Sequence, residues 1–455
     1  MLSVQYTESI MMIASAANPG VFNIRSELSD KSIRILSNQI DQVFSKKGLA
    51  FPRSAEELKK YAYNPYIKID GNIFHLSAIG SQALERILAI FQGIKPLSDL
   101  LSPNDYYRII LGEIENWINR KLVPSPDVFI DSVEKHILTY IDWYQFLCKI
   151  DGLILQGVDQ LPIGGKIISK YTPEILDNIM QKSDDFIKII NTEHNNSIVI
   201  SGKERGSIDS ASRKFCFNAE LCLSLLRLYH CIARGGDILR PKIRLVSECH
   251  GAYGSAIVFG WDEKTKSETW IRHFKEDLSL VIDNEMLTYF RKQCYWDQLA
   301  GLILKEDRSE VEEAIVKSLY WFGEAHKERT IVTKWILLWT CIECYFSIDD
   351  ERITENNAMG VATFLKFGGY SFDEYNDYRK LKSKIRKYYE LRSLALHRAS
   401  YQHIESEALE TFAQMVAWVI IIMVSLSLRG YNNLVQIKKE AERLDSLHYS
   451  DQKNG

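Results

Sequence analysis

The last proline of this chain is Pro241, and none interrupts the 214 residues that follow. Proline lacks an amide donor and its ring clashes with the preceding turn, so it breaks helix interiors. A long proline-free stretch with apolar residues at three- and four-residue spacing predicts consecutive helices. All ten prolines fall at or before Pro241, which marks a change of architecture. We place that boundary near residues 276–290.

Within 286–435 the pattern is helical throughout. Val311, Ile315, Leu319 and Phe322 make one apolar stripe, and Trp335, Leu338, Trp339, Ile342 and Phe346 make a second. Leu381, Ile385 and Tyr388 begin a third, and Ile404 to Leu428 form a fourth. Four such stripes can bury one another as a four-helix bundle. Residues 436–455 read as a polar helix and a frayed tail.

Residues 1–147 read as mainly helical, with a hairpin over 64–77 turning at Asp70-Gly71. Residues 148–285 read as mixed. Apolar runs split by Gly152, Gly157 and Gly164-Gly165 suggest strands, Ala211–Ile232 a helix, and Lys242–Ser247, Ala256–Trp261 and Glu268–His273 further strands. The expected fold class is mainly α, with a mixed α+β N-terminal region ahead of the C-terminal bundle.

With 455 residues the chain is long enough for two or three domains. A net charge of −3 means that any nucleic-acid site must be a local basic patch. Eight cysteines without framework spacing suit a reducing compartment. Glu8 precedes the first apolar stretch and the first basic residue is Arg25, which argues against a signal peptide. The longest apolar run, Met415 to Val424, is about half of the ~20 residues that span a bilayer. A cytoplasmic location away from membranes is therefore expected.

Two charged residues stand on apolar faces. Arg392 continues the Leu381–Ile385–Tyr388 stripe, and Glu343 sits between Trp339 and Phe346 on the second stripe. An unpaired buried charge is costly, so the two are expected to meet inside the bundle. Such a pair either fixes helix register or aims a guanidinium at a phosphate. His397 follows five residues after Arg392. On an unbroken helix that spacing separates two side chains by about 140°, so they converge if the helix ends or bends nearby or if two protomers build one site. Viewed alone, a histidine near apolar neighbours is more often a satisfied core residue.

Around these positions Arg379, Lys380, Lys382, Lys384, Arg386, Lys387, Arg392 and Arg398 crowd one stretch, and Glu390 alone opposes them there. Tyr388, Tyr389 and Tyr401 are interleaved or adjacent. A basic stripe with aromatics is the footprint of an RNA-backbone surface, although a solvated helix face looks the same.

The string YYELRSLALHR (Tyr388–Arg398), preceded by TKWILLWTCIECYF (Thr333–Phe346), resembles the HEPN superfamily, in particular its ApeA-like branch of anti-phage proteins. The family signature is Arg, four to six residues, then His. The resemblance covers about 286–435, one third of the chain. Ser393 departs from it, since many members carry Asn or Asp after the arginine. What the resemblance implies is a metal-independent endoribonuclease, needing no cofactor, active as a homodimer or higher homo-oligomer. In that reading His397 transfers protons, Arg392 clamps the phosphate and Glu343 orients Arg392. Ser393, Arg398, Lys387, Arg386 and Tyr389 are candidate RNA contacts. Residues 148–285 would form a sensor or regulatory domain, and the N-terminal region would meet a phage-derived trigger or regulatory partner. The alternatives are a non-catalytic member that binds RNA or a partner protein, and a structural bundle. In one toxin subgroup a tyrosine two residues after the histidine is modified by a partner; here that position is Ala399.

Other constellations carry less. Cys341-x-x-Cys344 has metal-like spacing but no second pair, and core packing is the better reading. Cys249-His250 with Cys216, Cys222, His230 and Cys231 matches no metal-site class. Gly164-Gly165-Lys166 lacks the rest of a phosphate loop. Asp349-Asp350-Glu351 reads as a solvated loop.

Overall fold

The computed structural model describes residues 23–45, 47–50, 59–60, 64–176, 184–233, 243–245, 256–261, 268–273, 279–328, 330–347, 352–368, 377–398 and 404–451. Of these, the side chains of 175–176, 186, 189, 193, 256–261, 268–273, 397–398 and 447–451 lie outside the description. Sixteen α-helices and short sheets are found among the described residues, so the chain is mainly α. It divides into two compact units, 1–146 with 203–215, and 147–202 with 216–455.

In the first unit the helices are α1 (Ile24–Glu27), α2 (Asp30–Phe44), α3 (Ala78–Gln92), α4 (Lys95–Ser98), α5 (Pro103–Asn119) and α6 (Pro126–Tyr140). The prolines stand where a helix tolerates them, in the first turns of α4, α5 and α6. Serine caps precede most of these helices, and the Ser102 cap of α5 is a full capping box with Asp105. Ile40, Ile87, Phe91, Ile110 and Phe129 are fully or almost fully buried in the shared core. Strands β1 (Leu49–Ala50), β2 (Tyr66–Ile69) and β3 (Asn72–Leu76) form an antiparallel sheet in the order β1-β3-β2. The expected hairpin is present. Asp70 (φ 48°) and Gly71 (φ 80°) both take the left-handed conformation that a two-residue turn of this hand needs.

Strands β4 (Asp142–Asp151), β5 (Leu153–Leu155), β6 (Gln160–Ile163), β7 (Lys166–Lys170), β8 (Ile198–Gly206) and β9 (Arg244–Leu245) follow. Five of them form a sheet in the order β6-β7-β8-β4-β9, while β5 pairs in parallel with β12 (Leu280–Ile282). Gly164 and Gly165, at φ 52° and 70°, make the β6–β7 turn, so that diglycine is hairpin chemistry. Strands β10 (Ala256–Trp261) and β11 (Glu268–His273) pair antiparallel with the expected bounds. The turn between them lies outside the described residues, as do 242 and 246–247 of the strand expected beside β9.

Helices α7 (Asp184–His194) and α8 (Ile208–Ala233) precede the proline-free region. That region supplies α9 (Asn284–Gln293), α10 (Trp296–Leu304), α11 (Glu310–Lys327), α12 (Ile331–Phe346), α13 (Ile353–Phe367), α14 (Tyr378–Arg398), α15 (Ser406–Leu428) and α16 (Leu434–Asp451). The residues of the first three stripes are all buried, as are Leu409 to Ala417 and Val419 to Leu426 of the fourth except Glu410, Thr411 and Gln414. Two features go beyond the sequence reading. Helix α13 packs against α14, and α16 packs against α13 and α12 with Ile437 and Ala441 fully buried. Helices α8 and α15 are long and apolar enough to cross a membrane by length and composition, but 83% and 72% of their apolar windows are buried within the protein. Both serve as core helices.

One crossing depends on glycine. A Cβ on Gly323 of α11 would lie 2.7 Å from the Ser224 Cβ and 1.8 Å from its Oγ on α8. Gly323→Ala is expected to destabilise the protein by roughly 1–3 kcal/mol through overpacking. Adding Ser224→Gly should recover part of the loss, since it removes both clashing atoms. Chemical denaturation of the two variants measures this, and equal stability of Gly323→Ala and wild type would count against the packing argument.

Candidate functional site

The site is built on the facing sides of α12 and α14. Helix α12 starts at a Thr330 cap and buries Trp335, Leu338, Trp339 and Ile342 completely. Helix α14 runs unbroken from Tyr378 to Arg398 and presents Leu381, Ile385, Tyr388 and Tyr389 to the core. An aromatic cluster locks the two helices to α15. Trp335 and Trp339 lie 4.9 and 4.5 Å from Phe412, ring centre to ring centre. The Trp335 indole donates to the Tyr388 carbonyl at 3.3 Å. These anchors set the distance and rotation at which the polar residues meet.

Glu343 and Arg392 meet as their faces required. The Arg392 Nη2 lies 2.9 Å from both Glu343 carboxylate oxygens, with the two side chains 20% and 19% exposed. The pair is therefore shielded but within reach of solvent. Its grip is one-sided: Nη2 alone serves the carboxylate, while Arg392 Nε is buried without a hydrogen-bond partner among the described residues. A guanidinium held through Nη2 keeps its Nη1 donors for an incoming oxyanion, while the buried Nε is not among them. Tyr389 completes the group, donating from its hydroxyl to Glu343 Oε1 at 3.1 Å. Its ring lies 5.4 Å from the Arg392 guanidinium carbon. Burial and the Glu343 charge push the Tyr389 hydroxyl up to about 12, so it stays a donor at neutral pH.

The other residues fall differently. Ser393 is half-buried, and Lys387 is exposed and forms no ion pair among the described residues. Arg386 is exposed but salt-bridged to Glu355 of α13. Lys382 reaches Glu355 at 3.1 Å and Asp445 of α16 at 3.3 Å. Acidic partners distant in sequence thus offset part of the basic stripe. Tyr389 is 7% exposed, beneath Arg392. His397 and Arg398 lie on the same continuous helix as Arg392, with side chains outside the description. The helix does not end between Arg392 and His397, so the five-residue spacing keeps its angular separation of about 140°. Tyr401 and the 349–351 loop lie outside the described residues.

Cys341 and Cys344 behave as packing residues. Burial pushes the Cys341 thiol well up and the Cys344 thiol up to about 11. Among the described residues no group of three or more His, Cys, Asp or Glu side chains could hold a metal ion; Cys249 and His250 lie outside them.

A second polar cluster joins α8, α11 and α12. The Arg227 Nη1 binds Glu220 Oε2 at 2.9 Å, and Lys327 lies 3.4 Å from the same oxygen. Burial pushes the Glu220 carboxyl up, but Arg227 and Lys327 outweigh it and hold it below the usual range. Beside it His326 is 2% exposed. Burial first, then the charges of Lys334, Arg227 and His230, hold His326 well below the ordinary histidine value. The unfolded chain therefore takes up a proton near pH 6.5 that the folded chain refuses. Stability is expected to be full above that pH and to fall as pH drops through about 6.5 toward 5. Melting temperatures across this range test it, and His326→Leu should flatten the slope.

No family model matches the chain, and no curated protein or solved structure matches it at a significant level.

Proposed function

We propose that this chain is a metal-independent endoribonuclease of the HEPN type, similar to the ApeA-like branch, with its centre at Arg392 and His397. The observation that carries the reading is the Glu343–Arg392 pair between two adjacent helices, one-sided and within reach of solvent. A carboxylate that holds a guanidinium while leaving donors open suits a phosphate clamp.

The chemistry follows from what RNA offers. The 2′-hydroxyl attacks the adjacent phosphorus as a base removes its proton. The bond from phosphorus to the 5′-oxygen breaks as an acid protonates that oxygen. The products are a 2′,3′-cyclic phosphate and a 5′-hydroxyl. One protomer supplies one His397, and about 140° of helix separates it from its own Arg392. Two protomers joined at α14 would supply base, acid and two guanidinium groups. Lys387, Arg386, Ser393 and Arg398 would contact the RNA backbone.

In this proposal the protein is a cytoplasmic anti-phage or toxin-type effector, with 1–285 sensing a trigger or holding the nuclease off. The test is incubation of single-stranded RNA with the wild type and with Arg392→Ala/His397→Ala in EDTA. Cyclic-phosphate ends from the wild type alone support the proposal, and undiminished cleavage by the double variant removes it. The pairing of Lys382 and Arg386 with Glu355 and Asp445 favours a second reading, in which the bundle binds a partner or serves structure. RNA binding without cyclic-phosphate products, or no RNA binding, would move the assignment there.

A further inference from the structure

Resting on that reading, we infer that Tyr389 is a positioning residue that sets the direction of the Arg392 guanidinium, and not a surface on which RNA bases stack. A base-stacking tyrosine must expose a ring face. Tyr389 is 7% exposed, with Arg392 over its ring and the Trp339 ring edge-on at 4.9 Å. Trp339 is itself held by Phe412 at 4.5 Å, so the platform under Arg392 is anchored in three helices.

Spacing makes this local. Tyr389 stands three residues before Arg392, one turn back on the same face of α14. Its ring limits where the guanidinium plane can lie, and its hydroxyl fixes Glu343 Oε1 at 3.1 Å. Glu343 then holds Nη2. Ring and hydroxyl thus constrain the same cation by two routes, direct contact and the shared carboxylate. The Nη1 amino group, which no described residue binds, remains to meet a phosphate oxygen.

The two routes separate by substitution. Tyr389→Phe keeps the ring and loses the hydroxyl, while Tyr389→Leu loses both. One readout needs no RNA: nitrogen NMR of the Arg392 side chain follows rotation about its Nε–Cζ bond. That rotation is slow in the wild type if Nη2 is held, and it should quicken in Tyr389→Phe and more in Tyr389→Leu. The second readout is turnover. Tyr389→Phe is expected to lower kcat about 3- to 10-fold, and Tyr389→Leu roughly 10- to 100-fold, with KM little changed, as for partners that orient a working group. Tyr389→Phe on a Glu343→Gln background should add little, because both act through one carboxylate.

Wild-type rotation and turnover in folded Tyr389→Leu would overturn the inference and leave the nuclease reading intact. Slow rotation lost in Tyr389→Leu, in a protein whose wild type cleaves no RNA, would sustain the positioning role and remove the nuclease reading. Equal rotation in all three proteins, with cleavage that still depends on Arg392, would assign Tyr389 to packing alone.

Discussion

His397→Ala is expected to lower RNA cleavage by about 10²- to 10⁴-fold while leaving the fold intact, the range that loss of a general acid or base produces. An imidazole titrates near neutrality and can either take the 2′-hydroxyl proton or return one to the leaving oxygen. The proposed reaction needs both acts and one chain supplies one such histidine, so each productive centre would draw on two protomers. Mixing therefore sharpens the prediction. In an exchanging dimer with one wild-type chain in ten, activity should fall to about one hundredth of the pure enzyme if both histidines are needed. It should fall only to about one tenth if each chain acts alone. Arg392→Ala should match His397→Ala in turnover, because the phosphate would lose its clamp. Arg392→Ala leaves the Glu343 carboxylate, 19% exposed, without its cation, so denaturant unfolding of the variant accompanies its turnover assay. A His397→Ala protein that cleaves like the wild type would end the proposal.

The part of this arrangement that the sequence revealed is the part written in local periodicity. Glu343 and Arg392 each interrupt an apolar stripe, and two inward-facing charges of opposite sign on neighbouring helices have few ways to be satisfied. Their pairing was therefore legible, as were Asp70-Gly71 and the bounds of β10 and β11. Helix α13 was not. Its buried face mixes small and polar residues (Asn357, Ala358, Gly360, Ala362 and Thr363) with Val361, Phe364 and Leu365, so its apolar signal is weak. Gly360 gains its meaning only beside Phe346, whose ring a Cβ there would meet at 2.6 Å. The partners of Lys382 are invisible for another reason. Glu355 and Asp445 lie on other helices, and no spacing rule links them to α14. The same holds for β5 and β12, a parallel pair drawn from opposite ends of the mixed region. Tyr389 looked like an RNA contact because aromatics among basic residues invite that reading. Which face of α14 it shares with Arg392 is local, but the carboxylate that takes its hydroxyl belongs to α12.

The largest stability loss is expected at Trp339. It is fully buried and touches α14 through Tyr389 and α15 through Phe412. Trp339→Ala removes the side chain that holds three helices in register, and large-to-small changes of this kind cost about 3–5 kcal/mol. Denaturant unfolding of the unit that contains 216–455 should show that loss as a lower midpoint at unchanged slope. Trp339→Phe is the informative companion. The Trp339 indole nitrogen is buried without a hydrogen-bond partner among the described residues, so phenylalanine gives up volume and none of the described hydrogen bonds. Its cost should stay near ~1–2 kcal/mol, the range for a partly filled site. If the smaller ring still supports Tyr389 edge-on, Trp339→Phe should retain most RNA cleavage in the proposed nuclease. Trp339→Ala should lose it even under conditions where the chain is folded, because the platform beneath Arg392 would be gone. Equal stability of Trp339→Ala and wild type would mean that α12, α14 and α15 are held together by something other than this aromatic cluster.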